Sequence, residues 1–483
     1  SLIIDGERLK KQYGNEEFWK YIAQNVKKGL KFAETIKYIF NIGHSFDPIG
    51  ILARFNELSE VEQNLLFLWY KLYESDDYYS FAINKASKIS EIPYLIRDAI
   101  FDSQNINTTF IQQRTAALRV LNVPYDDEYF SKLDKLFNPE TRLKLLTYQT
   151  IAERSYAIKT VSELLKNGTD IVSIAELVKD YYPNLAEYLN PKMTTKITIR
   201  EDIVQYFNWY RQSKIINRPN SDIPCLIDFD KINSRNKIIQ QNDTGDSRFF
   251  WVDGLGVEWV PILSKKLERI NSDFNIKIDI AKAILPTETE YNHQWIQNDQ
   301  KWDRLDKLSH NGMIDDNDYF LCIARQFEIM DEIVAHIEEL MKQNNRLIIT
   351  SDHGSSRLAA LCFHKIENFA IEPPENSIVR SFGRFVELKD NGYVSITPSM
   401  EKVELDGKKF IVMKTYEHFK QSGNAAGGNT DKNAVAGEIH GGMTPEEYLV
   451  PVIFVSRKTP ISFEEKKEKS KGITINDDLM GLH

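Results

Sequence analysis

Five short stretches of this 483-residue chain carry side chains that bind cations or move protons. Asp253 follows the apolar run FFWV, Thr287 and Thr289 follow IAKAILP, and Asp352-His353 follows RLIITS. Carboxylate, imidazole and hydroxyl groups are hard or borderline metal ligands. In an open α/β sheet, ligands gather beyond the carboxyl ends of the strands, so these positions would share one edge if the strands are parallel. Asp306 and His310 stand at i and i+4, which a helical turn puts on one face, and His440 lies in the glycine-rich GEIHGG. Three Asp, three His and a hydroxyl suit two adjacent divalent cations, zinc or manganese, which clamp a phosphoryl group in transfer when about 4 Å apart. A hydroxyl beside such a cation loses its proton more readily and becomes a nucleophile.

Taken singly, each stretch also has a plainer reading. Asp352-His353-Gly354 could be an ordinary turn, and Asp306 with His310 could lie on the solvated face of the charged helix KWDRLDKLSH. Thr287-Glu288-Thr289-Glu290 matches a capping box, so either threonine could simply start a helix. His440 could belong to a flexible loop.

The elements that must position these groups change style along the chain. Up to about residue 216, apolar residues recur at three and four, as in Phe18, Ile22, Val26, then Ile51, Phe55, Leu58, then Leu65, Leu66, Trp69, Leu72; this predicts an α-helical N-terminal domain over 1–216. Asn138-Pro139-Glu140 reads as a helix start and Pro183 as a stop. Residues 217–246 are polar and Asn/Asp-rich and read as a linker or loop. Beyond it come four short apolar runs, Phe249 to Val252, Ile276 to Leu285, Arg346 to Thr350 and Tyr448 to Val455. A long amphipathic stretch, Asp318 to Met341, separates the second from the third. This alternation predicts an α/β domain over 247–457 with a parallel sheet and helices on its faces. Ile378 to Met413 reads as a small antiparallel insert turning at Asp390-Asn391-Gly392 and Asp406-Gly407, and 458–483 as a charged, solvated tail.

Composition narrows the classes. With 42% hydrophobic residues the chain is neither disordered nor fibrous, and a net charge of -9 gives no global field toward nucleic acid or anionic lipid. Lys10-Lys11 and Lys27-Lys28 could still form a local basic patch. Cys225, Cys322 and Cys362 lack paired spacing, which argues against disulfides or a cysteine zinc site and fits a reducing cytoplasm. No run is long enough to span a membrane, and the opening SLIIDGERLKKQYG lacks a signal-peptide layout, although residues could precede it.

In order, WVDGLG at Asp253, PTETEYNH around Thr289, LDKLSHNG ahead of a helix containing IMDEIVAHIEEL, SDHGSSRLA, and GEIHGGMTPEEYLVPVI resemble the PglZ domain of the alkaline phosphatase superfamily. The resemblance covers about residues 247 to 457. PTETEYNH is similar to the nucleophile segment of nucleotide pyrophosphatase/phosphodiesterases, where a threonine attacks phosphorus, and the match falls on Thr289. The resemblance implies an alkaline-phosphatase-like fold. It implies that Asp253, Thr289, Asp352 and His353 hold one metal and Asp306, His310 and His440 the other, with zinc first and manganese as the alternative. Two departures bear on Asp306: only sixteen residues separate it from Thr289, and no apolar strand precedes it, so Asp303 competes for its role. Arg357 could meet a substrate phosphate or hold its loop by a salt bridge; Asn292 could donate to a phosphoryl oxygen or merely sit on a helix face.

PglZ proteins carry a large N-terminal helical region, and many act in bacterial phage defence of the BREX type. The expectation is therefore a cytoplasmic, metal-dependent phosphodiesterase or phosphatase acting on a phosphoester, nucleotide or nucleic acid, with other defence proteins on the helical half. The alternatives are a non-catalytic metal- or nucleotide-binding scaffold of a defence complex, or a nuclease subunit.

Overall fold

Short apolar runs, buried almost continuously in the central strands and broken by Gly, Asp and Pro, build the strands of this protein, and side-chain caps start many of its helices. The computed structural model describes residues 48–60, 76–103, 106–193, 199–218, 223–270, 272–296, 299–313, 315–365, 369–389, 395–421 and 435–459, with a few further positions between 20 and 67. Phe18, Ile22, Val26, Leu65, Trp69, Leu72, the two lysine pairs, the Asp390-Asn391-Gly392 turn and the tail from 460 lie outside the described residues. The chain divides into two units, Ser1–Glu153 and Arg154–His483.

In the first unit every described element is helical. Asp77, Asn107, Asp126 and Asn138 each cap a helix by accepting from a backbone N–H of its first turn. Asn138 does so for the helix Pro139–Leu145, where the Asn-Pro-Glu signal stands. Buried Ile51, Phe55, Leu66, Tyr78, Ile96, Tyr129 and Leu133 carry the core. Buried Arg114 donates to the carbonyls of Arg97 and Leu145, so its charge is met by backbone acceptors.

The second unit opens with helices. Pro183 does not merely stop one; it is the first residue of the helix Pro183–Tyr188, where its missing N–H costs nothing. The elements that shape the site are α1 Glu201–Ile216, α2 Arg235–Asn242, α3 Thr289–Asn292, α4 Arg304–Ser309, α5 Asp316–Gln343, α6 Arg357–Lys365 and α7 Pro445–Tyr448. The strands are β1 Arg248–Val252, β2 Phe274–Lys282, β3 Gln300–Trp302, β4 Arg346–Thr350, β5 Ser377–Arg380, β6 Phe385–Leu388, β7 Met400–Leu405, β8 Lys408–Met413 and β9 Leu449–Arg457. The central sheet has the order β2-β9-β4-β1-β3. The class is mixed α/β.

The expected parallel sheet needs correction. β1 pairs in parallel with β3 and β4, but β9 runs antiparallel to both β2 and β4. An apolar run looks the same in either direction. The reversal follows from where β9 starts: Ala283 N, just past the end of β2, donates to Tyr448 O, so β9 leaves from the edge where its neighbours finish. A strand is also present where none was expected. β3 is QKW, an edge strand whose Trp302 packs on Phe250 and His336, and one aromatic suffices to seat it.

Phe250 meets His336 of α5, while Ile348, Val450 and Val452 share a core with Ile238 of α2 and with Phe385, Phe410 and Val412 of the insert. One face is thus covered by a helix and the other by α2 and a four-stranded antiparallel sheet, β5-β6-β8-β7. Within the polar stretch 217–246, Lys282 N donates to Asn233 O, capping the end of β2, and Ile238 enters the core. No described helix is long and apolar enough to cross a membrane.

Candidate metal centre

The carboxyl ends of β1 and β4 and the start of β9 bring distant loops to one edge of the sheet. Asp253 is the first residue after β1, and its N–H donates to Trp302 O at 2.8 Å, which ties it to β3. Gly254 has φ +75, and a Cβ there would lie 3.2 Å from Asp306 Cβ, so this glycine lets the Asp253 turn approach α4 closely. Asp352-His353 follows β4. Thr289 is the first residue of α3, and Asp306 and His310 lie on and just after α4.

The loop with His440 is strapped from three sides. Ile439 and Ser356 exchange backbone hydrogen bonds, Glu438 N donates to Ser309 O at 2.8 Å, and Gly437 N donates to Asn311 O at 3.2 Å. Thr287 Oγ1 donates to Gly442 O at 2.7 Å and accepts from Gly441 N at 3.0 Å. Thr287 is therefore a brace for this loop, which leaves Thr289 as the threonine facing the acidic groups.

The structure gathers all seven expected groups. Thr289 Oγ1 donates to Asp352 Oδ2 at 2.8 Å and lies 3.1 Å from His353 Nε2. Asp253 Oδ1 is 3.6 Å from His353 Nε2, Asp306 Oδ1 is 3.2 Å from His310 Nε2, and His440 Nε2 is 3.7 Å from Asp306 Oδ1. The rings of His353 and His440 stack with centroids 3.8 Å apart. Asp306, His310 and His440 offer one ligand atom each within 4.8 Å of one another, and so do Asp253, Asp306 and His353. Asp306 therefore stands within reach of both groups, and Asp303 is paired with Lys307 at 2.6 Å instead.

The other two expected site residues are held elsewhere. Arg357 donates to Asn217 Oδ1 at 2.8 Å and to Gly437 O at 2.6 Å, with its guanidinium over the Tyr319 ring. The Asn292 amide donates to the carbonyls of Ile284, Pro286 and Glu288 and accepts from Ile284 N. Both hold loops in shape rather than present donors to a substrate. Conversely, sequence reasoning missed Lys301, whose Nζ is 3.0 Å from Asp253 Oδ2, and Glu288, whose Oε1 is 3.5 Å from His440 Nδ1 and accepts from Ser381 Oγ. Glu288 sat in view inside the capping-box motif; Lys301 had no signal beyond standing in an edge strand.

Four carboxyls in one buried place need positive charge. Burial, then the charges of Asp352 and Asp306, push the Asp253 carboxyl up to about 8. Burial also raises Glu288. Burial would raise Asp306 and Asp352 too, but His310 and His440 hold the first below the usual carboxylate range, and His353 with the Thr289 hydroxyl does so for the second. Burial and neighbouring His440 lower His353 to about 4, whereas Glu288 and Asp306 overcome burial and raise His440 to about 9. Asp253 Oδ1 and Asp306 Oδ1 are buried without a hydrogen-bond partner. Unpartnered carboxylate oxygens beside imidazole nitrogens fit a divalent cation, which would satisfy both and relieve the repulsion.

A domain family of unknown function, DUF7863, matches residues 3–163, ahead of every residue of this site. No curated protein matches the chain.

Proposed function

We propose that the chain is a metal-dependent phosphohydrolase, with phosphodiesters preferred over monoesters, working through Thr289 in an alkaline-phosphatase-like arrangement. The observation that carries this reading is the Thr289 hydroxyl, hydrogen-bonded to Asp352 and 3.1 Å from His353 among the other cation-binding groups. Asp306, His310 and His440 would hold one divalent cation and Asp253, Asp352, His353 and Thr289 the second, zinc first and manganese as the alternative. When bound, the cations supply the positive charge that neutralises the phosphoryl oxygens and makes the hydroxyl more acidic.

Asp352 Oδ2, already the acceptor of the Thr289 hydrogen bond, takes the proton as Thr289 Oγ1 attacks phosphorus in line. The bond to the leaving ester oxygen breaks, that oxygen departs as the anion or takes a proton from solvent, and Thr289 holds the phosphoryl group with its remaining ester as a threonine phosphodiester. Water then attacks that phosphorus and gives up a proton to solvent, and the threonine oxygen departs and recovers its proton from Asp352. The braced Thr287 loop and the Asn292 amide keep α3 from drifting during both steps. Because the Arg357 guanidinium is engaged by Asn217 and Gly437, it does not meet the second negative charge of a monoester, which favours diesters. The PglZ resemblance carries the proposal further, to a cytoplasmic phosphoester-cleaving role in phage defence beside partner proteins.

The test is hydrolysis of a chromogenic phosphodiester beside the matching monoester, by metal-stripped protein with zinc or manganese restored. Activity is expected to return with metal, to be higher on the diester, and to vanish in Thr289→Ala with metal content retained. Inactivity of the wild type with either metal would defeat the reading.

A further inference from the structure

One side chain of the polar stretch 217–246 reaches the site from behind. Arg235, the first residue of α2, is only 1% exposed. Its Nη1 donates to Ser351 O at 2.6 Å and to Asp352 O at 3.2 Å. Its Nη2 donates to Asn292 O at 3.0 Å and to Gln294 Oε1 at 3.2 Å. Ser351 and Asp352 form the turn after β4; Asn292 is the last residue of α3, whose first residue is Thr289. One planar guanidinium therefore grips the two segments that contribute the two halves of the Thr289–Asp352 hydrogen bond.

We propose that Arg235 is a positioning residue, setting the separation between the Thr289 hydroxyl and the Asp352-His353 turn. The inference rests on the phosphohydrolase reading of the site. Its physical basis is the shape of the group. All four acceptors are neutral oxygens in two directions, and a guanidinium presents its N–H donors in a rigid fork that matches them. A lysine ammonium, a point donor on a flexible stem, cannot span both segments. The anchor is also fixed: Ser234 bridges to Lys282, Ile238 is buried in the sheet core, and the guanidinium lies 5.1 Å from the Trp251 ring centroid. Arg235 lies behind the turn, on backbone carbonyls, and touches neither Thr289 Oγ1 nor the Asp352 carboxylate. Its effect is on geometry rather than on chemistry.

The experiment compares wild type, Arg235→Ala and Arg235→Lys as full chains with zinc restored, on the chromogenic phosphodiester. Misplacement by about 1 Å costs on the order of 100-fold, so kcat is expected to fall by about that factor while KM moves less than about twofold. Arg235→Lys is expected to stay low although it folds, and non-denaturing guanidinium is expected to recover part of kcat in Arg235→Ala but none in Thr289→Ala. Unchanged kcat, a loss confined to KM, full activity in Arg235→Lys, or no response to guanidinium would overturn the proposal. Zinc titration by competition separates this inference from the one beneath it. A wild type that binds two zinc ions without hydrolysing the ester defeats the catalytic reading alone, and Arg235 then stands only if Arg235→Ala loses one of the two. A wild type that neither binds zinc nor hydrolyses defeats both.

Discussion

Two threonines two residues apart have opposite duties, and hydrogen bonding separates them. Thr289 donates to a carboxylate beside the stacked histidines, whereas Thr287 is fully buried and joined to Gly441 and Gly442. Thr287→Val keeps the shape but leaves a buried N–H and C=O unpaired, a loss of about 1–3 kcal/mol each at most. The expected outcome is a lower Tm by calorimetry and a reduced but measurable kcat, against complete loss in Thr289→Ala. Equal, complete loss in both with unchanged Tm would mean that the nucleophile has been misassigned. Asp253 illustrates the same scale electrostatically: its carboxyl, raised by burial and two like charges, is held at 3.0 Å by Lys301.

At the scale of elements, the turn after β4 is confined by α7. A Cβ on Gly354 would run into Glu446 O and the Cα of Gly256, so the glycine allows the turn to pass under the α7 backbone. Gly354→Ala should overpack this crossing and destabilise by about 1–3 kcal/mol, with loss of zinc affinity because Asp352-His353 must shift. Urea unfolding and zinc competition check it; wild-type values for both would show that the crossing has slack. In the insert, Asp406 and Gly407 have φ 51 and 76, which is the paired left-handed geometry of a type I′ hairpin and explains why Asp-Gly stands between β7 and β8.

Across the second unit, buried ionic groups join α1 to the His440 loop. Lys214 lies 2.9 Å from both Glu258 and Glu438, and Glu438 also accepts from Ser355 and Gln326 two residues before His440. Lys214→Met would leave two buried carboxyls without their cation, and a loss of about 3–5 kcal/mol in urea unfolding is expected. A variant as stable as wild type would show that the network is dispensable. A pH response of stability follows from Glu446, which accepts from Tyr206 and Ser356 and is pushed by burial, then by Glu447, up to about 7 from 4.5. The folded chain keeps a proton that the unfolded chain releases, so this group's contribution is whole below about 4.5 and is lost as pH rises through 7. Glu446→Gln should therefore flatten the fall of Tm between these values; an identical pH profile in the variant would contradict the assignment.

β1, β2, β4 and β9, the long α5 and the presence of an antiparallel insert were legible in the sequence because periodicity, capping and turn chemistry act between residues a few positions apart, though the insert's first expected run is broken into β5 and β6 at Ser381–Gly383. Four candidate ligands were legible for a related reason: Asp253, Thr289, Asp352 and His353 follow apolar runs and so mark strand ends whatever the sheet becomes, whereas Asp306 and His310 rested on i,i+4 spacing and His440 on a glycine-rich loop. Tertiary structure alone decided the direction of β9, since hydrophobicity carries no sense of direction. It also decided that β3 pairs at the edge, that Arg357 and Asn292 brace loops, and that Lys301, Glu288 and Arg235 reach the site. These depend on contacts across long separations, such as His440 Nδ1 to Thr287 O over 153 residues, and no local pattern records which distant carbonyl a polar side chain will find.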